Sequence, residues 1–115
     1  MATAANQANL TLEQTPTGYT GYYTESLAAA GNGNTLIIPS GLRHLAVTIL
    51  ASAGAKLQIT LDPTDVINVS GETYIDWPEG EVTTETDMTL SPAVRGLRLV
   101  QTQSGTSSIK VGATT

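Results

Sequence analysis

From residue 35 onward, apolar and polar residues take turns one by one, in short runs cut off by turn-forming residues. Leu45, Val47 and Ile49 alternate with Ala46 and Thr48. Leu57, Ile59 and Leu61 alternate with Gln58 and Thr60. Leu97 and Leu99 flank Arg98, and Ile109 and Val111 flank Lys110. A period of two puts every second side chain on one face, which is the pattern of a half-buried strand. The runs are bounded by Pro39-Ser40-Gly41, Ala53-Gly54, Asp62-Pro63-Thr64-Asp65, Ser70-Gly71 and Pro78-Glu79-Gly80. No helical pattern of ten or more residues stands between them, so a βαβ architecture is excluded. About seven or eight short strands at regular spacing predict an antiparallel β-sandwich, jelly-roll-like, in a single domain.

Local expectations follow from the spacing. The 45–49 and 57–61 runs are close enough to pair as a hairpin. The 97–99 and 109–111 runs, joined by the polar segment QTQSGTS, predict a closing hairpin. TLII at 35–38 and Val66–Val69 read as short strands. Ile75 and Trp77 share one face of another strand, and Tyr74 and Asp76 the opposite face. EVTTETDMTL has high β propensity but weak alternation.

Residues 1–34 have a different texture, rich in Ala, Thr, Asn and Gly. Pro16, Gly18 and Gly21 break any helix there. SLAAA fits either one helical turn or a short strand, and GNGN at 31–34 reads as a turn. The division expected is an extended N-terminal arm over 1–34 and a β-sandwich module over 35–115. Tyr19, Tyr22 and Tyr23 fall in a segment with no local core to hold them, and tyrosines so placed suit an interface. With Leu10 and Leu12 they are the candidate partner-binding residues.

Composition bounds the chemistry. The chain has no Cys, which excludes disulfides, thiolate metal sites and a thiol nucleophile. The core must come from Leu, Ile, Val and Ala, because there is no Phe and one Trp. With a formal net charge of −5 and five scattered basic residues, no nucleic-acid footprint is visible. No stretch reaches the roughly 18 apolar residues of a membrane helix, so no membrane partner is expected. MATAANQANL has no basic region followed by an apolar run, so a secretory leader is not expected and synthesis in the cytoplasm is.

Each candidate site has a plainer structural explanation. His44, the only histidine, heads a strand without the nucleophile or G-x-S-x-G elbow that would make it catalytic. Eight of the ten acids lie between Asp62 and Asp87, but irregularly, without a calcium-loop pattern or a fixed carboxylate pair. They read as a solvated face or an acidic patch for a partner. Trp77 reads as a core anchor rather than a sugar-stacking platform. The expectation is therefore a non-enzyme with no catalytic residues, no metal and no cofactor.

The segments KLQITLDPTDVI, YIDWPEGEVT and VRGLRLVQTQSGTSSIKV carry a family likeness. Across 36–111 the sequence resembles small virion structural proteins of tailed bacteriophages, a class that spans head decoration (cement), head-fibre and tail accessory roles. The resemblance implies a β-sandwich that assembles, usually as an oligomer, on a capsid or tail. It implies no catalytic residue, and it gives Trp77 and Gly80 a structural role, as a packed indole beside a tight turn.

Together these readings predict a capsid decoration protein on the virion surface, made in the host cytoplasm. Its partners would be the major capsid protein and, as a homo-oligomer (trimer or dimer), itself. The arm would bridge coat subunits, gaining affinity by strand addition and repetition. The alternative is a tail or head-fibre module that binds host surface carbohydrate through exposed Trp77 or Tyr rings beside acids.

Overall fold

The computed structural model describes residues 7–39, 41–51, 54–68, 71–90 and 93–115. They form eleven strands and one short helix: β1 (Gln7–Asn9), β2 (Thr11–Thr15), β3 (Gly18–Leu27), β4 (Gly31–Asn32), β5 (Thr35–Ile37), β6 (His44–Ala51), β7 (Ala55–Thr60), α1 (Thr64–Asn68), β8 (Ile75–Asp76), β9 (Thr86–Leu90), β10 (Gly96–Gln101) and β11 (Ser107–Thr114). One sheet, A, runs β1-β5-β10-β7-β8, with β4 also paired to β10. The other, B, runs β2-β3-β11-β6-β9. All pairings are antiparallel except β1 with β5.

From β3 the chain crosses to sheet A for β4 and β5, returns to sheet B for β6, crosses to sheet A for β7 and β8, and then alternates through β9, β10 and β11. That is jelly-roll connectivity, and the all-β sandwich expected from the alternation is what the chain forms. The period-two residues behave as the pattern requires, except Leu61, which lies past the end of β7 and is exposed. Leu45, Val47 and Ile49 from β6, Leu57 and Ile59 from β7, Leu97 and Leu99 from β10, and Ile109 and Val111 from β11 meet in one buried cluster.

The expected hairpins do not form. β6 pairs with β11 and β9, while β7 pairs with β10 and β8. β10 and β11 also lie in different sheets. Each of these strands has one apolar face, and crossing between sheets lets two such faces meet across the core instead of lying side by side. The strand expected at 66–69 is also replaced over its described residues. Asp62 and Pro63 lead into α1, and the amides of Val66 and Ile67 donate to the Pro63 carbonyl at 3.0 and 3.1 Å. Val69 lies outside the described residues. Ile67 is fully buried.

The boundary expected between an arm (1–34) and a module (35–115) does not divide the described chain. Residues 7–32 supply strands to both sheets, and β3 runs along the whole of β11. Residues 1–6 lie outside the described residues. The chain passes from sheet A to sheet B at Leu10, which is buried. Thr, Tyr and Gly, which look soft as composition, suit a strand that lies between two others. The segment finds its core in the rest of the molecule rather than locally. Trp77 packs against the core and its amide donates to the Leu57 carbonyl at 2.9 Å. Gly80 closes the turn behind it at φ 66°, a left-handed conformation that favours glycine.

Candidate functional site

The five expected partner residues separate by strand parity. Tyr19 and Tyr23 of β3 share the inward parity of Gly21 and pack against the core from the inside of sheet B, and Leu10 is part of the core itself. Leu12 and Tyr22 are exposed, at 53% and 50%. They lie on opposite faces of the β2–β3 hairpin, because Leu12 is in register with Gly21 and Tyr22 with Thr11. The sequence thus groups five residues of which the structure leaves two on the surface. All five residues of β2 are exposed, and its outer edge borders no strand among the described residues.

Tyr23 has a structural task. Burial, reinforced by the charge of Glu25, pushes its hydroxyl up to about 12, against a hydrogen bond with Asn34 that lowers it. The Glu25 carboxylate accepts from the Asn34 amide at 3.0 and 3.1 Å. Gly33 is needed there: a Cβ would stand 2.6 Å from Glu25 Oε1 and 3.0 Å from the Leu99 carbonyl. This cluster fastens β3 of sheet B to the joint between β4 and β5 of sheet A.

The outer face of sheet A holds a polar pocket that the sequence does not announce. Its volume is about 310 Å³, and its walls are Gln7, Asn32, Gly33, Thr35, Glu72, Tyr74 and Arg98. In register across β8, β7 and β10, Asp76, Gln58 and Arg98 make a hydrogen-bonded row. Gln58 Nε2 donates to Asp76 Oδ1 at 2.8 Å, and Arg98 Nε donates to Gln58 Oε1 at 2.9 Å. Lys56 joins the row through an ion pair to Asp76 at 3.1 Å. Hydrogen bonds from Gln58 and Lys56 hold the Asp76 carboxyl below its usual range.

The row sets the Arg98 guanidinium flat on the Tyr74 ring, 3.6 Å from its centroid. Tyr74 donates to Glu72 Oε1 at 2.5 Å and shares a hydrogen bond with Thr35 Oγ1. Burial, then the bond to Glu72, raises the Tyr74 hydroxyl above its ordinary value, while Thr35 and Arg98 act against the rise. Glu72 Oε2 is buried and has no hydrogen-bond partner among the described residues. No spacing rule could reveal this pocket, because its residues run from 7 to 98 and meet only through the sheet register.

The other expected candidates are dispersed. His44 is exposed on β6 and shares parity with the outward-facing Ala46. Asp62 accepts from the Thr73 amide, Glu81 from Thr102 Oγ1 and Asp87 from Thr48 Oγ1. Among the described residues no three of His, Asp and Glu gather to hold a metal ion. No described helix is long and apolar enough to cross a membrane.

No family model and no curated protein matches the chain. A solved structure does: a plant oxalate oxidase in complex with the substrate analogue glycolate, at 12% identity and a TM-score of 0.51. The match covers 82% of this chain and 41% of that one, so the chain spans about two fifths of its length. The likeness is one of fold, and it agrees with the jelly-roll connectivity.

Proposed function

We propose that the protein is a non-enzymatic structural protein of a phage virion, a capsid decoration protein that holds adjacent subunits of the major capsid protein together and acts as a dimer or trimer. The observation that carries this reading is the β2–β3 edge. β2 offers unpaired backbone groups along a fully exposed strand, with Leu12 on one face of the hairpin and Tyr22 on the other. An edge of this kind is a template for strand addition, and the two apolar side chains give the added strand something to cover. Repetition over a lattice multiplies such modest contacts. The likeness of 36–111 to small virion proteins points the same way.

We assign docking to this edge rather than to a free arm, because β2 and β3 are strands of the sandwich. Removing residues 1–30 would delete β1 to β3 and test folding rather than docking. The better experiment measures binding of Leu12→Asp and Tyr22→Ala to undecorated capsids, with thermal melts as the folding control. Each should weaken binding about tenfold or more, the scale of an interface anchor. Full-strength binding by both variants would overturn the reading.

A further inference from the structure

We propose that the pocket on the outer face of sheet A binds a neutral saccharide, a terminal sugar ring whose neighbouring hydroxyls bridge Glu72 and Arg98. This site is separate from the β2–β3 edge and does not depend on the virion reading. It also differs from sugar stacking on Trp77, whose indole packs against the core.

Three observations carry the inference. The first is the orphaned acceptor. Two hydroxyl groups, from Thr35 and Tyr74, gather at Glu72 Oε1, while Oε2 is buried without a partner among the described residues. Leaving a buried acceptor unpaired costs about 1–3 kcal/mol, more for a charged one, so native structures rarely keep one without a use. The second is the preset cation. Arg98 is flattened on Tyr74 and its Nε is committed to Gln58, so its two terminal amino groups are what it can offer a ligand. The third is that these opposite charges line one pocket without pairing. Among the described residues the only ion pair within 4.0 Å is Lys56 with Asp76.

Those conditions select the ligand chemistry. An anion would meet Glu72, and a cation would meet Arg98. A ligand that fits must donate to the carboxylate and accept from the guanidinium while adding no net charge. Adjacent hydroxyls of a sugar ring do both, and the Asn32 side-chain amide supplies a further donor and acceptor on the wall. A zwitterionic amino acid also carries both groups, but none of the walls is aliphatic, so its side chain would have no apolar seat. The volume of about 310 Å³ lies at the small end of ligand pockets, which suits one ring rather than a chain of them.

The test is an NMR titration of the isotope-labelled full chain. The probes are methyl glycosides of hexoses, N-acetylhexosamines and 6-deoxyhexoses, to about 50 mM, with glycine and serine as zwitterionic controls. The expected result is a saturable shift for at least one glycoside at the amides of Asn32, Gly33, Glu72 and Tyr74, with a millimolar Kd. Glu72→Gln and Arg98→Lys should each weaken that binding about tenfold or more, the worth of one charge-assisted bond. Spectra of the unliganded variants show whether each is folded, and either folded variant suffices. No saturable shift from any glycoside overturns the proposal. So does an affinity unchanged in the folded variants, or binding of the amino acids in place of the glycosides.

Discussion

Two glycines that face outward from the sandwich have opposite surroundings. Gly96 of β10, on sheet A, is buried beneath α1, and a Cβ there would lie 2.9 Å from Thr60 Cγ2 and 3.2 Å from Ile67 Cδ1. Gly112 of β11, on sheet B, has nothing within 4 Å of where a Cβ would stand. The rows they sit among differ in the same way. Outside sheet A, charged and amide side chains are tied to one another across three strands and end in the polar pocket. Outside sheet B, the row Tyr22, Gly112, Ala46 and Thr89 is small and neutral apart from the tyrosine. The inner faces of both sheets are mostly apolar, so the larger difference lies outside. One exterior is built up by a helix and a polar network, and the other is left open as strand surface.

The strongest test of that contrast is Ile67→Ala. If α1 is a packed cover, removing its fully buried anchor should cost about 2–5 kcal/mol in urea unfolding. A loss below about 1 kcal/mol would make α1 an ornament and the two exteriors equivalent. Next is Gly96→Ala, which must push Thr60 or α1 aside and should cost about 1–3 kcal/mol by the same measurement.

A third test probes the tie between the sheets. The Tyr23 hydroxyl, pushed up to about 12 in the folded protein, ionises near 10 when unfolded. The unfolded chain therefore releases this proton first as the pH rises. The contribution is complete below pH 10 and is lost between about 10 and 12. Thermal melts from pH 8 to 11.5 should show Tm falling above pH 10, and Tyr23→Phe should flatten that part of the decline. The smallest effect is expected for Gly112→Ala, which should leave stability unchanged or raise it by at most about 1 kcal/mol. A clear loss there would mean that the open face is not open.

The sequence was most legible where packing is the only demand. Leu45, Val47, Ile49, Leu57, Leu97, Leu99, Ile109 and Val111 read as inward residues and all are. Partner choice was not legible, because alternation says which face is apolar but not which neighbouring strand completes the sheet. The segment before residue 35 misled for a related reason. Gly21 looks like a helix breaker and an arm residue, yet it lies where Leu10 Cδ1 and Leu12 Cδ2 close to 3.1 and 3.2 Å of a would-be Cβ. Its smallness serves close packing rather than looseness. The polar pocket was invisible because Gln7, Thr35, Glu72 and Arg98 become neighbours only after the sheet has set their register.

The place of β11 has a consequence for how the molecule is made. It follows every other strand among the described residues and lies between β3 and β6, which do not pair with each other. Sheet B therefore has no middle until residues 107–114 have left the ribosome. Up to that moment the apolar strips of β6 and β9 are without their sheet, and they are the surfaces through which unfinished chains would associate. Completion of sheet B waits for β11, and a chain cut short before residue 107 should yield an insoluble product rather than a slightly smaller sandwich.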